Sequence, residues 1–200
     1  RPQRGRFRQF MQCDIDILGE PTYLAEIELI LATTTLLGKL DFKNFTIRIN
    51  NRKMLKGLAK YCGFPEESYD DVFIILDKMD KIEMSGVEAE LLEAGYDKEA
   101  VEKCKNLFET VTNDLDGVRY MKETLGDCLE EGVAEDLETI IQTVEKVKAA
   151  DFKIAFDPTL VRGMSYYTGP IFEIAMDEFG GSVGGGGRYD EMIGKFTGNN

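Results

Sequence analysis

Between Glu66 and Ala150 the chain carries 24 acidic and 9 basic residues, while the residues on either side carry 13 and 15. The formal net charge of -13 is therefore made in the middle. A break of that size marks a boundary better than any linker in this chain. The period of the apolar residues supports the same division. Ala100, Val101, Cys104, Leu107, Phe108 and Val111 fall on one helical stripe, and Leu137, Ile140, Ile141, Val144 and Val147 on a second. Leu76, Met79 and Ile82 fit a helix as well, whereas Val72 to Ile75 reads equally as a strand or a buried helical turn. The expectation is an acidic, all-helical insertion over 65–150, between two parts of one core, 1–64 and 151–200. So negative a surface binds phosphate poorly unless its few lysines cluster.

The flanks alternate instead. Residues 6–17 read as a strand with Phe7, Gln9, Met11, Cys13, Ile15 and Ile17 on one face and Arg6, Arg8, Phe10, Gln12, Asp14 and Asp16 on the other. The polar face is basic at its start and acidic at its end, which suits a zwitterionic or phosphorylated ligand. Leu24, Ile27, Ile30, Leu31 and Leu37 predict a helix entered after Pro21 and ended by Gly38. Phe42 to Ile49 predicts a strand. Asn50 is then expected to cap a short helix with Leu55, Leu58, Ala59 and Cys62 buried and Gly63 at its end. Sheet resumes at Lys153 to Phe156.

The stretch from Leu160 to Tyr189 holds the residues hardest to explain by fold alone. Arg162 stands between an apolar pair and a glycine, so its side chain must find a partner. Tyr166 and Tyr167 would point to opposite faces of a strand. Ile171 to Met176 reads as a further strand, and Gly184 to Gly187 brings backbone close to something that a Cβ would obstruct. An arginine, two phenols and bare backbone on one sheet suit a pocket for a small polar molecule carrying negative charge. A buried ion pair beside a glycine-rich hairpin explains the same residues equally well.

Composition excludes several classes. At 43% hydrophobic residues the 200-residue chain has enough apolar mass for a core. No apolar run approaches the ~20 residues of a membrane span, and no signal peptide precedes the charged start. Cys13, Cys62, Cys104 and Cys128 are widely spaced, so zinc and a disulfide framework are not expected, and reduced thiols point to the cytoplasm. There is no histidine, which removes any imidazole base, ligand or triad from these residues.

RPQRGRFRQFMQCDID resembles the second signature motif of the class II aminoacyl-tRNA synthetases in its histidyl form, and LVRGMSYYTG and GGGGRYD resemble the two histidine-specific motifs that follow it. The segments lie at the two ends of the chain, in that order, with a helical insertion between them. The glycine run alone says little, since it lacks the GK[ST] of a phosphate loop. The resemblance implies an α+β fold, a largely antiparallel sheet flanked by helices. It implies activation of histidine by ATP to histidyl-adenylate and transfer to its tRNA. Gln12 and Asp16 would hold the substrate ammonium group, and Tyr166, Tyr167 and Tyr189 would line the imidazole site. Arg162, the catalytic residue, would contact the substrate carboxylate and the α-phosphate. Arg6 and Arg8, with Gly185 and Gly186, would serve ATP; magnesium is expected with ATP, and no metal ligand is assigned. The resemblance also implies a homodimer and places the first and third motifs and the anticodon-binding domain outside residues 1–200, so these residues alone are expected to be weakly active at most. Ser165 stands where an acidic residue is common in the family. The alternative is the regulatory subunit of ATP phosphoribosyltransferase, which shares the fold without the catalysis.

Overall fold

A computed structural model describes residues 7–161 and 166–198. Arg6 and Arg162, two of the expected phosphate-contacting arginines, lie outside the described residues. The first regular element is α1 (Leu24–Lys39), then β1 (Phe45–Asn51) and α2 (Arg52–Cys62). The helices α3 (Tyr69–Leu76), α4 (Met79–Glu93), α5 (Lys98–Thr110), α6 (Leu115–Leu125) and α7 (Val133–Val147) follow without an intervening strand. The chain ends with β2 (Phe152–Phe156), β3 (Pro170–Met176), β4 (Gly181–Gly187) and a short α8 (Met192–Thr197).

The four strands lie in the order β2-β1-β3-β4. β1 runs parallel to β2 and antiparallel to β3, and β3 is antiparallel to β4. The architecture is thus α+β with a mostly antiparallel sheet. Alternation splits the sheet into two faces. Phe45, Ile47 and Ile49 of β1, Phe152, Ile154 and Phe156 of β2, and Phe172, Ile174 and Met176 of β3 are all buried in one apolar core. α7 packs on β1, β2 and α1, and α6 reaches β2, so the helical stretch shares its core with the sheet. Arg48, Asn50, Glu173 and Ile171 have the opposite parity, and their partners on β4 are Gly185 (for Glu173) and Gly187 (for Ile171).

Several local expectations are corrected. Residues 7–20 form no strand, and Phe7, Phe10, Met11, Ile15 and Leu18 are exposed. Alternation supplies a face but no neighbour, and among the described residues no strand lies alongside to receive the ladder bonds. Gly38 does not end α1, which continues to Lys39. Asp41 takes the positive φ of 64° beyond it, and Gly38 packs against Ala150, whose Cβ would stand 3.0 Å from a Cβ at residue 38. The cap of α2 is Asn51, accepting from the Lys53 amide. Asn50 is buried one residue earlier, its amide donating to the carbonyls of Pro158 and Leu160. Val72 to Ile75 belongs to helix α3. α6 was missed: its stripe of Val118, Met121 and Leu125 is short, and its start depends on Asp114 accepting from the Gly117 amide. The Gly63 ending holds, with φ 93°, a left-handed turn that a Cβ disfavours.

Candidate functional site

The two ends of the chain meet just beyond the end of β4. The Tyr189 hydroxyl donates to Asp16 Oδ1 at 2.5 Å across 173 positions of sequence. That bond, aided by partial burial, raises the Tyr189 pKa to about 12, because ionising the phenol would place two negative oxygens side by side. The Asp16 carboxylate, with one oxygen taken by a neutral phenol, keeps capacity to accept from a cation. Gln12 and Arg8 lie on the same exposed segment.

Tyr166 and Tyr167 are not in a strand, so they do not point to opposite faces. Their rings pack at 4.5 Å between centroids, tilted by 56°, with Tyr166 exposed and Tyr167 half-buried. Tyr167 sits against Gly187: a Cβ there would be 3.0 Å from the ring and 2.8 Å from Ile171 Cγ2. Bare backbone at residue 187 is what lets the phenol lie on the sheet. Gly185 shares the face of Glu173, and Gly186 lies on the other, over Phe172. The glycines therefore serve both layers.

The residues the sequence left unassigned are those that hold these parts in place. Arg188 donates Nε and Nη2 to the two oxygens of Glu26 at 2.7 and 2.9 Å, a bidentate pair in which both side chains are largely buried. It also donates to the carbonyls of Glu20 and Thr22. The bond to Glu26 outweighs burial and raises the Arg188 pKa, fixing its charge. Thr168 closes the third side, its amide donating to the Arg188 carbonyl and its hydroxyl accepting from the Asp190 amide.

A second cluster forms around Arg48, on the face of the sheet that carries Glu173. Arg48 bonds Asp157 at 2.5 Å, Asp80 at 2.9 Å and Glu173 at 3.4 Å. Burial alone would lower the Arg48 pKa, but Asp157 and Asp80 reverse it and the net shift is upward. Arg52 shows the opposite balance, since burial dominates over distant Asp70 and lowers its pKa. Its guanidinium also stacks over the Phe73 ring at 4.9 Å. A charged residue inside an apolar strand, Arg48 in FTIRINN and Glu173 in PIFEIAM, was the available signal for this cluster. Among the described residues no group of three or more acidic or thiol side chains is placed to hold a metal ion. Nor is any described helix long and apolar enough to cross a membrane.

A family model described as histidyl-tRNA synthetase matches residues 1–200. The chain is 47% identical over 99% of its length to a histidine–tRNA ligase of Leifsonia xyli subsp. xyli, covering 47% of that protein. It is 39% identical over 98% to one of Christiangramia forsetii, covering 43%. The chain thus spans less than half the length of these relatives. Among solved structures, histidyl-tRNA synthetase from Nostoc sp. PCC 7120 aligns with a TM-score of 0.77 at 28% identity, over 90% of this chain and 43% of that one. A structure from Bacillus halodurans described as an ATP phosphoribosyltransferase regulatory subunit/histidyl-tRNA synthetase shares the fold, with a TM-score of 0.72 at 21% identity over 89% of this chain and 46% of that one.

Proposed function

Because the chain belongs to the histidyl-tRNA synthetase family, we propose that the full protein activates histidine with ATP and passes it to its tRNA. The observation that carries this reading is the bond between Tyr189 and Asp16, which joins the second motif to the last histidine-specific one. In this reading the substrate ammonium group rests on Asp16 and Gln12, and its imidazole lies against Tyr166, Tyr167 and Tyr189. Phenols suit that ring because each can donate or accept as the tautomer requires. A pocket that hydrogen-bonds the imidazole would reject apolar amino acids, which leave its polar groups unpaired.

No side-chain nucleophile is needed. The histidine carboxylate attacks the α-phosphorus, pyrophosphate departs, and histidyl-adenylate forms. Arg162 is assigned to the α-phosphate and the substrate carboxylate, and Arg6 and Arg8 to the other phosphates. Gly185 and Gly186 are assigned to the nucleotide. Fixed guanidinium charge and alignment supply the catalysis. Magnesium would travel with the ATP phosphates. The full protein is proposed to be cytoplasmic and homodimeric.

Histidine-dependent ATP–pyrophosphate exchange by the full-length protein is the test. Activity in the wild type, lost by about 100-fold or more in Arg162→Ala, is the expected result. Binding of histidine without exchange would contradict it and fit the regulatory-subunit alternative.

A further inference from the structure

Arg188 stands where three separate segments meet. Its side chain holds the stretch between Asp16 and α1 through the carbonyls of Glu20 and Thr22 and through Glu26. Its backbone carbonyl accepts from Thr168, just after the tyrosine pair, and its amide donates to Pro170 at the start of β3. A Cβ at Gly169 would stand 3.0 Å from Arg188 Cδ, so the stem also lies flat on that loop. The next residue, Tyr189, makes the bond to Asp16. Each of the three segments carries one wall of the proposed amino-acid pocket, yet the described bonds of the Arg188 side chain all run to Glu20, Thr22, Glu26 and Asp190.

We infer that Arg188 is a positioning residue, whose fork on Glu26 and the carbonyls of Glu20 and Thr22 fixes where the Asp16 carboxylate meets the Tyr189 hydroxyl. The segment carrying Asp16 has no strand of its own to hold it, and is exposed from Phe7 to Asp16. Among the described residues, Arg188 and Tyr189 supply the side-chain hydrogen bonds that tether it to the end of β4. A planar fork with two parallel bonds to Glu26 sets an orientation that a lysine, a point charge on a flexible stem, does not reproduce. The amino-acid role of the pocket rests on the function proposed above; the coupling of Arg188 to the Tyr189–Asp16 bond does not.

The test uses full-length protein labelled at tyrosine Cζ with carbon-13, with Tyr189→Phe to assign the resonance. In the wild type the bond to Asp16 is expected to hold the Tyr189 titration up to about 12. Arg188→Lys keeps the charge and loses the fork, and should return Tyr189 toward the ordinary value of about 10. Glu26→Gln should shift it in the same direction if Arg188→Lys does not fold. Arg119→Met, which breaks an exposed ion pair with Glu138 in the helical layer, should leave it unmoved. In histidine-dependent exchange, Arg188→Lys should raise the KM for histidine about 10- to 100-fold, with the KM for ATP and kcat within about threefold. An unchanged Tyr189 titration in both variants overturns the inference. Equal effects on both substrates would reduce Arg188 to a general structural role and overturn it too. A shifted titration in a protein that shows no histidine exchange in the wild type would keep the coupling and discard the proposed function.

Discussion

One face of the sheet is sealed and the other is addressed by charge, and the same strands make both. Ile47 and Ile49 of β1 are fully buried under helices, while Arg48 between them reaches Asp157, Asp80 and Glu173. A shift of one residue separates the layer that holds the fold from the layer that carries the Arg48 cluster and receives Tyr167. The sealed face is bound by many interchangeable contacts. The open face depends on a few directed ones, contributed by residues as far apart as Arg48 and Glu173. Substitutions on the two faces should therefore fail differently: on the sealed face by unfolding, on the open face by misplacing parts.

The widest contrast is expected between Ile47→Asp and Lys153→Asp. Ile47 is fully buried, whereas Lys153 is exposed on the edge strand β2 with the parity of Thr46. The first should cost more than about 4 kcal/mol and prevent folding, and the second about 0.5 kcal/mol, measured by urea unfolding. Arg188→Ala removes a directed contact just beyond β4, between Arg188 and Glu26 of α1. It strands the buried Glu26 carboxylate and should cost about 3–5 kcal/mol, while Arg188→Met combined with Glu26→Leu should recover most of that loss. Gly187→Ala tests close approach: its Cβ would press on Tyr167 and Ile171. A cost of about 1–3 kcal/mol is expected, with a changed near-ultraviolet tyrosine signal.

The smallest effect concerns pH. Tyr189 has a folded pKa raised to about 12 from an unfolded value near 10. Its neutral form is therefore favoured by folding, and that contribution is complete below pH ~10 and lost as pH rises toward about 12. Tyr189→Phe should remove this part of the alkaline loss of stability and cost under about 1 kcal/mol at neutral pH. Unfolding midpoints at pH 8 and 11 measure it.

The sealed face was the legible one. Helices α1, α2, α5 and α7 announce themselves because a stripe repeated every three or four residues is a local signal, and β1 to β3 alternate cleanly. What was missed or misread depended on distant partners. The alternation at 7–17 is as clear as that of β1, but a strand needs a neighbour and the sequence names none. Asn50 and Asn51 are equivalent as caps until the fold buries one against Pro158 and Leu160. Asp16 and Tyr189 stand out through the family resemblance, and the structure joins the two by a hydrogen bond. Arg188 was visible only as a letter in GGGGRYD. Its partner Glu26 looked like any acid in the first turn of a helix, and nothing local marks a charge destined for burial.

The most direct check is a crystal structure of the full-length protein with histidinol, which keeps the ammonium and imidazole groups and lacks the reacting carboxylate. The ammonium is expected within hydrogen-bonding distance of Asp16, with the imidazole against Tyr167 and Tyr189. Histidinol bound elsewhere, with the Asp16 carboxylate still engaged by Tyr189 alone, would contradict it.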